Sequence, residues 1–307
     1  MWNPEKEQAF IRSTDAVVWA TISCKRCDYR YEAFFKKTEP KNCLKCGGEL
    51  ASTTPQGRNS PVSVFTEKYA SEIFEDALQK AGYDDLEVKR DIVCKSLDLT
   101  SRSAADMAIV KKGITGRVYE PDQIKIVFEV KMSLIWNWEL SDDGELKMVA
   151  DYDKHHGRGS IYRTDSILKA IGKGAIFGSH FKSSNIPYVV VGNSPPPTSY
   201  LDKVDGSVRA GIVQRFLSLT PNPLVKDESD EEQRNPKESD QKGFLRVDTV
   251  DELSDFVADL LKDERIFIGS MLKKTKLGKI IKSLDLDKDH TDIGDDFFKE
   301  LYDVEGV

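Results

Sequence analysis

The sequence predicts an α/β fold: a mixed β-sheet core flanked by helices, a small cysteine-bearing unit before it and a helical region after it. Three observations predict this. Helix-period and strand-period apolar runs follow one another between residues 64 and 192 in the order helix, three strands, helix, strand. Four of the five cysteines form two C-x-x-C pairs within the first fifty residues. Apolar residues at helical spacing return after residue 249. A hydrophobic content of 39% beside 32% charged residues is that of a globular chain with a real core. The 307 residues exceed the size of one typical domain.

The first element is a polar, helical opening, followed by the strand-like run Ala16 to Ile22. Cys24-Lys25-Arg26-Cys27 comes next, then fifteen residues, then Cys43-Leu44-Lys45-Cys46-Gly47-Gly48. C-x2-C-x15-C-x2-C is the spacing of a four-thiolate zinc site, and four Cys ligands leave no open coordination position, so the Zn²⁺ would be structural. Gly47 and Gly48 supply the tight backbone that such a knuckle needs. Residues 1–60 read as a zinc-ribbon region. Lys25, Arg26, Arg30, Lys36, Lys37, Lys41 and Lys45 interleave there with Tyr29, Tyr31, Phe34 and Phe35. That mixture suits contact with DNA phosphates and suits equally a solvated surface over a small aromatic core.

Residues 51–61 are a polar, Pro/Gly-punctuated linker. Val64 to Ala81 has a helical stripe of Ala70, Ile73, Phe74, Ala77 and Leu78, with Gly82 as its stop. Leu86 to Val93 and Ala104 to Val110 read as strands. Ile124 to Phe128, rich in β-branched residues, reads as a third and buried one. That strand ends in Glu129-Val130-Lys131, which packing alone does not favour, because an ionised group is costly to desolvate without a partner. Period-2 geometry puts Glu129 and Lys131 on one face, where Asp106 of the neighbouring strand can meet them. Two carboxylates and an ammonium at one spot make a site for a hard divalent cation and an activated water.

At these residues the chain resembles the PD-(D/E)XK nuclease superfamily, and within it the type II restriction endonucleases. Asp106, a hairpin-sized spacer and Glu129-x-Lys131 fill that family's signature, with Ala105 where a proline often stands. Trp136-Asn137-Trp138 and the segment Arg163 to Lys173 also look like those of some restriction enzymes. The resemblance covers residues 61–224 and implies a restriction-endonuclease-like αβββαβ core. It implies Mg²⁺ held by Asp106, Glu129 and the Val130 carbonyl, with Lys131 orienting the attacking water. It adds an accessory carboxylate on the first core helix, a place Glu67 takes because it lies nearest the apolar stripe. The implied activity is sequence-specific hydrolysis of double-stranded DNA to 5′-phosphate and 3′-hydroxyl ends. The implied partners are a second copy of the chain, as a homodimer, and a cognate DNA methyltransferase. A repair or recombination nuclease of the same fold stays open, as does a non-catalytic zinc-ribbon DNA-binding protein.

Thr164 to Phe177 is a helix and Ile186 to Gly192 a buried strand, ended by Asn193-Ser194 and a proline cluster. Trp136 and Trp138 alternate like strand residues facing the same way, an arrangement that favours packing in the core over projection toward DNA. Residues 225–242 have almost no apolar content and read as an exposed or disordered acidic linker. Residues 243–307 form the helical C-terminal region, with helices over 249–262, about 266–284 and 297–302.

The net charge of −7 is uneven. Residues 1–60 carry ten Lys/Arg against seven Asp/Glu, whereas residues 225–307 carry fourteen against twenty-three. A DNA-facing front end is therefore compatible with an acidic chain. No run approaches the roughly 18 apolar residues of a membrane span and no signal peptide opens the chain, so the expected location is the cytoplasm. Asp285, Asp287 and Asp289 open like a calcium loop, but position six is His290 and position twelve Asp296. His155-His156 sits in a polar stretch, and Cys94 reads as a core thiol.

Overall fold

The computed structural model describes residues 1–13, 20–27, 30–33, 43, 45–51, 59–140, 145–150, 159–180, 185–221, 235–262 and 274–305. Two compact units divide the chain, Met1–Ile266 and Phe267–Val307.

In the first unit a six-stranded mixed sheet is the frame. Its strands are β4 (Leu86–Ile92), β5 (Ala105–Lys111), β6 (Ile124–Val130), β9 (Tyr188–Gly192), β10 (Arg215–Ser218) and β11 (Phe244–Arg246). They lie in the order β11-β10-β9-β6-β5-β4. β5 pairs antiparallel with both β4 and β6, while β6, β9, β10 and β11 are parallel. Parallel strands are covered on both faces and so read as continuous apolar runs. Every residue of β9 is buried, as the unbroken Tyr-Val-Val-Val sequence requires.

Alternation along the strands feeds two cores. On one face, Met107, Ile109, Ile126, Phe128, Val189, Val191 and Leu217 pack with helix α2 (Asn59–Lys80) through Ala70, Ile73 and Phe74. The rings of Phe74 and Phe128 lie 4.6 Å apart in the middle of this layer. On the other face, Ala108, Val127, Val190 and Phe216 meet Ile167, Ala170 and Phe177 of helix α3 (Thr164–Gly178) and Val204 of helix α4 (Leu201–Arg209). The first helix, α1 (Pro4–Ser13), joins the α2 face through Phe10 and Ile11. A two-stranded hairpin, β7 (Asn137–Leu140) with β8 (Leu146–Ala150), follows β6.

Two expectations change at the C-terminal side. The sheet does not end near residue 224, because β11 pairs in parallel with β10, Phe216 opposite Phe244. Helix α5 (Val250–Lys262) then adds Leu253, Val257 and Leu260 to the core beside α2. The region after 243 therefore opens with a strand. Residues 235–242 of the expected exposed linker are held against the fold, with Asn235 and Ser239 buried. The cause is a buried carboxylate: Asp205 of α4 accepts bonds from the Gly243 amide at 2.7 Å, the Gln241 amide at 3.2 Å and the Ser239 hydroxyl at 2.5 Å. Residues 222–234 lie outside the described residues.

The small N-terminal sheet has the order β2-β1-β3, from β1 (Ala20–Cys24), β2 (Arg30–Ala33) and β3 (Leu50–Ala51). In the second unit, helices α6 (Lys274–Ser283) and α7 (His290–Glu305) pack on each other. The expected short third helix at 297–302 is thus part of a 16-residue helix. Of the aspartates resembling a calcium loop, Asp289 caps α7, accepting from the Thr291 amide at 2.9 Å, and Asp285 accepts from the Asp287 amide at 3.1 Å in the turn before it.

Candidate functional site

The four N-terminal thiols meet. Their sulfur atoms all lie within 4.8 Å of one another, with Cys24–Cys46 at 3.5 Å and Cys27–Cys43 at 3.7 Å. A tetrahedron with metal–sulfur bonds of about 2.3 Å has edges of about 3.8 Å, so this group can hold one metal ion. Each knuckle also turns an amide toward its first thiol: Arg26 N–H donates to Cys24 Sγ and Lys45 N–H to Cys43 Sγ, both at 3.3 Å. Gly47 sits at φ +69°, the left-handed turn that closes the second knuckle. β1 places Cys24, and its pairing with β3 brings Leu50 opposite it. Cys94, by contrast, is a buried core residue.

The second cluster forms where β5 begins and β6 ends. Because the two strands are antiparallel with Met107 opposite Phe128, one further step places Asp106 opposite Glu129. The Val130 amide donates to Asp106 Oδ2 at 2.8 Å, bridging the strands through the carboxylate. Lys131 Nζ contacts the Glu129 carboxylate, stands 3.8 Å from Asp106 Oδ2 and lies 3.4 Å from the Val130 carbonyl oxygen. The Lys131 amide donates to Val191 O at 2.7 Å, so β9 holds the end of the motif strand. Beyond it, the Asn193 side chain grips the Ser133 backbone at both ends, accepting from its amide at 3.0 Å and donating to its carbonyl at 2.6 Å.

Two groups from the far side of the chain complete the cluster. Lys173 of α3 reaches both oxygens of Glu129, at 2.7 and 2.9 Å. The Tyr188 hydroxyl donates to Glu129 Oε2 at 3.4 Å. Gly174 makes this reach possible, since a Cβ there would lie 2.8 Å from the Ile212 carbonyl oxygen and 3.1 Å from the Tyr188 ring. The helix can therefore approach β9 closely only with glycine at that position. Glu129, Lys173 and Tyr188 also line a cavity of about 60 Å³ whose other walls include Leu97, Val127 and Phe177.

The electrostatics are those of crowded carboxylates. Burial and the neighbouring Glu129 charge push the Asp106 carboxyl up to about 6, against the pull of Lys131, Lys173 and the Val130 amide. Glu67, half-buried on α2, is pushed up to about 7 by burial and by the Asp106 and Asp91 carboxylates, opposed by Arg90 and Lys131. Burial lowers the Lys173 ammonium, but the Glu129, Asp106 and Glu67 carboxylates outweigh it and the net shift is upward. Burial and the adjacent negative charge raise the Tyr188 phenol.

The geometry thus brings Asp106, Glu129, Val130 and Lys131 to one spot, with Glu67 close enough to feel Asp106. Lys173 and Tyr188 were not among the expected site residues. Lys173 lies 44 positions from Glu129, and only its place in the segment Arg163 to Lys173 pointed toward it. Trp136 is 1% exposed and packs in the core, whereas the side chain of Trp138 lies outside the described residues. So do His155, His156, Tyr29, Phe34, Phe35, Lys36, Lys37 and Lys41.

No family model matches this chain, and neither the curated proteins nor the solved structures contain a match. Among the described residues, no helix is long and apolar enough to cross a membrane.

Proposed function

We propose that the protein is a Mg²⁺-dependent, sequence-specific endonuclease of double-stranded DNA, of the restriction-endonuclease type, with a structural Zn²⁺ on its four N-terminal cysteines. One observation carries the reading: Asp106, Glu129 and Lys131 converge at facing strand ends beside the carboxylate of Glu67. The element order helix, three strands, helix, strand supports an αβββαβ core of that class, with β10, β11 and α5 as extensions. The site lies at the carboxyl ends of the parallel strands β6 and β9, the usual place for ligands in an open sheet.

The donor set fits a hard dication. Asp106 and Glu129 present carboxylates across one strand pair, and the Val130 carbonyl faces the same point through its contact with Lys131. Mg²⁺ favours oxygen ligands and keeps several waters, which suits two carboxylates and one carbonyl. When bound there, the ion would polarise a phosphoryl oxygen and lower the pKa of a water. Lys131, held between Glu129, Asp106 and the Val130 carbonyl, orients that water and neutralises charge growing on the phosphorane. Glu67 takes the accessory place, binding a water or a second cation. In-line attack leaves a 5′-phosphate and a 3′-hydroxyl. Cutting both strands calls for two such sites, hence a homodimer, and a cytoplasmic enzyme of this kind works beside a cognate DNA methyltransferase that protects the host's own sites.

Digestion of a phage genome with Mg²⁺, followed by sequencing of the fragment ends, tests this directly. Ends sharing one short sequence, lost with EDTA and in Asp106→Ala and Lys131→Ala, are the expected result. A chain inert toward DNA with Mg²⁺ or Mn²⁺, or cleavage unchanged in either variant, overturns the reading.

A further inference from the structure

Glu129 has more cationic partners than a metal ligand can keep. Its side chain is 3% exposed, and its oxygens are already engaged by Lys131, by Lys173 at both and by the Tyr188 hydroxyl. A divalent ion bound to that carboxylate sits about 2.0–2.1 Å from an oxygen. That places two further positive charges beside an ammonium at 2.7 Å, so one lysine must leave.

The surroundings decide which one. Lys131 is 21% exposed and is held at three points, by Glu129, by Asp106 and by the Val130 carbonyl. Lys173 is 42% exposed and has Glu129 as its ion-pair partner. Its backbone is fixed by the close approach at Gly174, while the four-carbon stem stays free to swing. The strongest new acceptor next to a metal-loaded site is the phosphate to be cleaved.

We propose that Lys173 is a cation-exchange residue: it neutralises Glu129 in the metal-free protein and moves to the substrate phosphate when a divalent ion takes that carboxylate. This rests on the nuclease reading for the phosphate, but the displacement itself is measurable without DNA. Lys173 thereby keeps a buried carboxylate compensated in the resting chain, since removing one partner of such a pair is costly. It also makes loading of the ion a competition, so the metal-free state is held until Mg²⁺ is abundant.

The test uses the full zinc-loaded chain and Mn²⁺ alone, with free Mn²⁺ followed by electron paramagnetic resonance, and then cleavage of the preferred DNA with Mg²⁺. Lys173→Met binds Mn²⁺ roughly fivefold tighter than wild type, because the competing ammonium is gone. The same variant cleaves roughly a hundredfold more slowly, because a phosphate contact is lost. Lys173→Arg keeps Mn²⁺ affinity near wild type and recovers part of the cleavage. Lys173→Gln serves in the same two measurements if the Met variant does not fold. Mn²⁺ affinity that stays level or falls in both neutral variants overturns the displacement. Tighter Mn²⁺ binding with undiminished cleavage overturns the phosphate contact. A wild-type chain that cleaves nothing overturns the phosphate role along with the nuclease reading, while the Mn²⁺ arm still decides the displacement.

Discussion

The two clusters of potential metal ligands are built in opposite ways. The cysteine group draws its four sulfurs from 23 residues, Cys24 to Cys46, on two tight turns beside one short strand. It is closed, with every ligand a thiol and no position left for a substrate. The carboxylate cluster draws on α2, β5, β6, α3 and β9, between Glu67 and Tyr188, and depends on the whole sheet to assemble. It is open on one side, and its charges are compensated by lysines. A group that needs its ion in order to fold can be local. A group that must hold its shape before the ion arrives needs a prebuilt frame, and here the frame is two buried cores.

The largest test of that contrast removes the ion from the local group. Structural Zn²⁺ supplies on the order of 10 kcal/mol or more of folding energy to units of this kind. Cys43→Ser with Cys46→Ser, or a strong chelator, should therefore open residues 20–51 to protease while α1 and the sheet stay protected. Limited proteolysis read by mass spectrometry checks it. Simultaneous loss of protection across β4 to β11 would break the comparison, because the two parts would then share one cooperative unit.

The second test strikes the frame without touching the site. Glu7 of α1 is fully buried and accepts from the Trp2 indole at 2.9 Å, the Ile135 amide at 2.6 Å and the Trp136 amide at 3.2 Å. Glu7→Ala leaves those donors buried and should cost about 3 kcal/mol, seen as a lower denaturation midpoint. Cleavage at a temperature where the variant is folded should change little.

These residues mark where the sequence stopped being readable. Spacing alone showed the thiolate group, because its ligands are neighbours in the chain. The strands β4, β5, β6 and β9 and the helices α2 and α3 were legible from apolar period, and the acid–x–lysine ending of β6 was conspicuous against its buried run. The Lys173 partner of that ending, and the polar anchors elsewhere in the fold, were not. Glu7 reaches across 128 positions, Asn193 across 60, Lys173 across 44 and Asp205 across 38. A lone polar residue in a helix or at a strand end has no local feature that separates it from a solvated one. β11 is only three residues long and follows an acidic run, so composition pointed to a linker where Asp205 makes an anchor.

A third test separates stability from function within the open cluster. In the metal-free chain Asp106 titrates near 6 rather than at its ordinary 3.8, so its ionised form is disfavoured by folding. Its stability is highest below pH 3.8 and is lost as pH rises through about 6. Asp106→Asn keeps an acceptor for the Val130 amide and removes the charge. Above pH 6 the variant should be more stable by about 1–3 kcal/mol, with the gain fading toward pH 4. Thermal unfolding at pH 8 and pH 4.5 in EDTA measures it, and cleavage should be absent throughout. A loss of stability at pH 8 would mean that the lysines, not the crowded carboxylates, set the balance there.

The smallest effect is the one that defines the edge of the cluster. Glu67 belongs to the site only if it feels the Asp106 charge, and the shift of Glu67 to about 7 includes Asp106 among its causes. Removing that charge with Asp106→Asn should therefore lower the Glu67 titration from about 7, which carboxyl carbon NMR of the metal-free chain follows directly. Glu67→Gln should slow cleavage roughly tenfold, less than loss of Asp106 or Lys131, because an accessory carboxylate positions a water rather than holding the first ion. A Glu67 titration that does not move would place Glu67 outside the cluster. The open site would then be a product of the sheet and α3 alone, with α2 serving only to cover the opposite core.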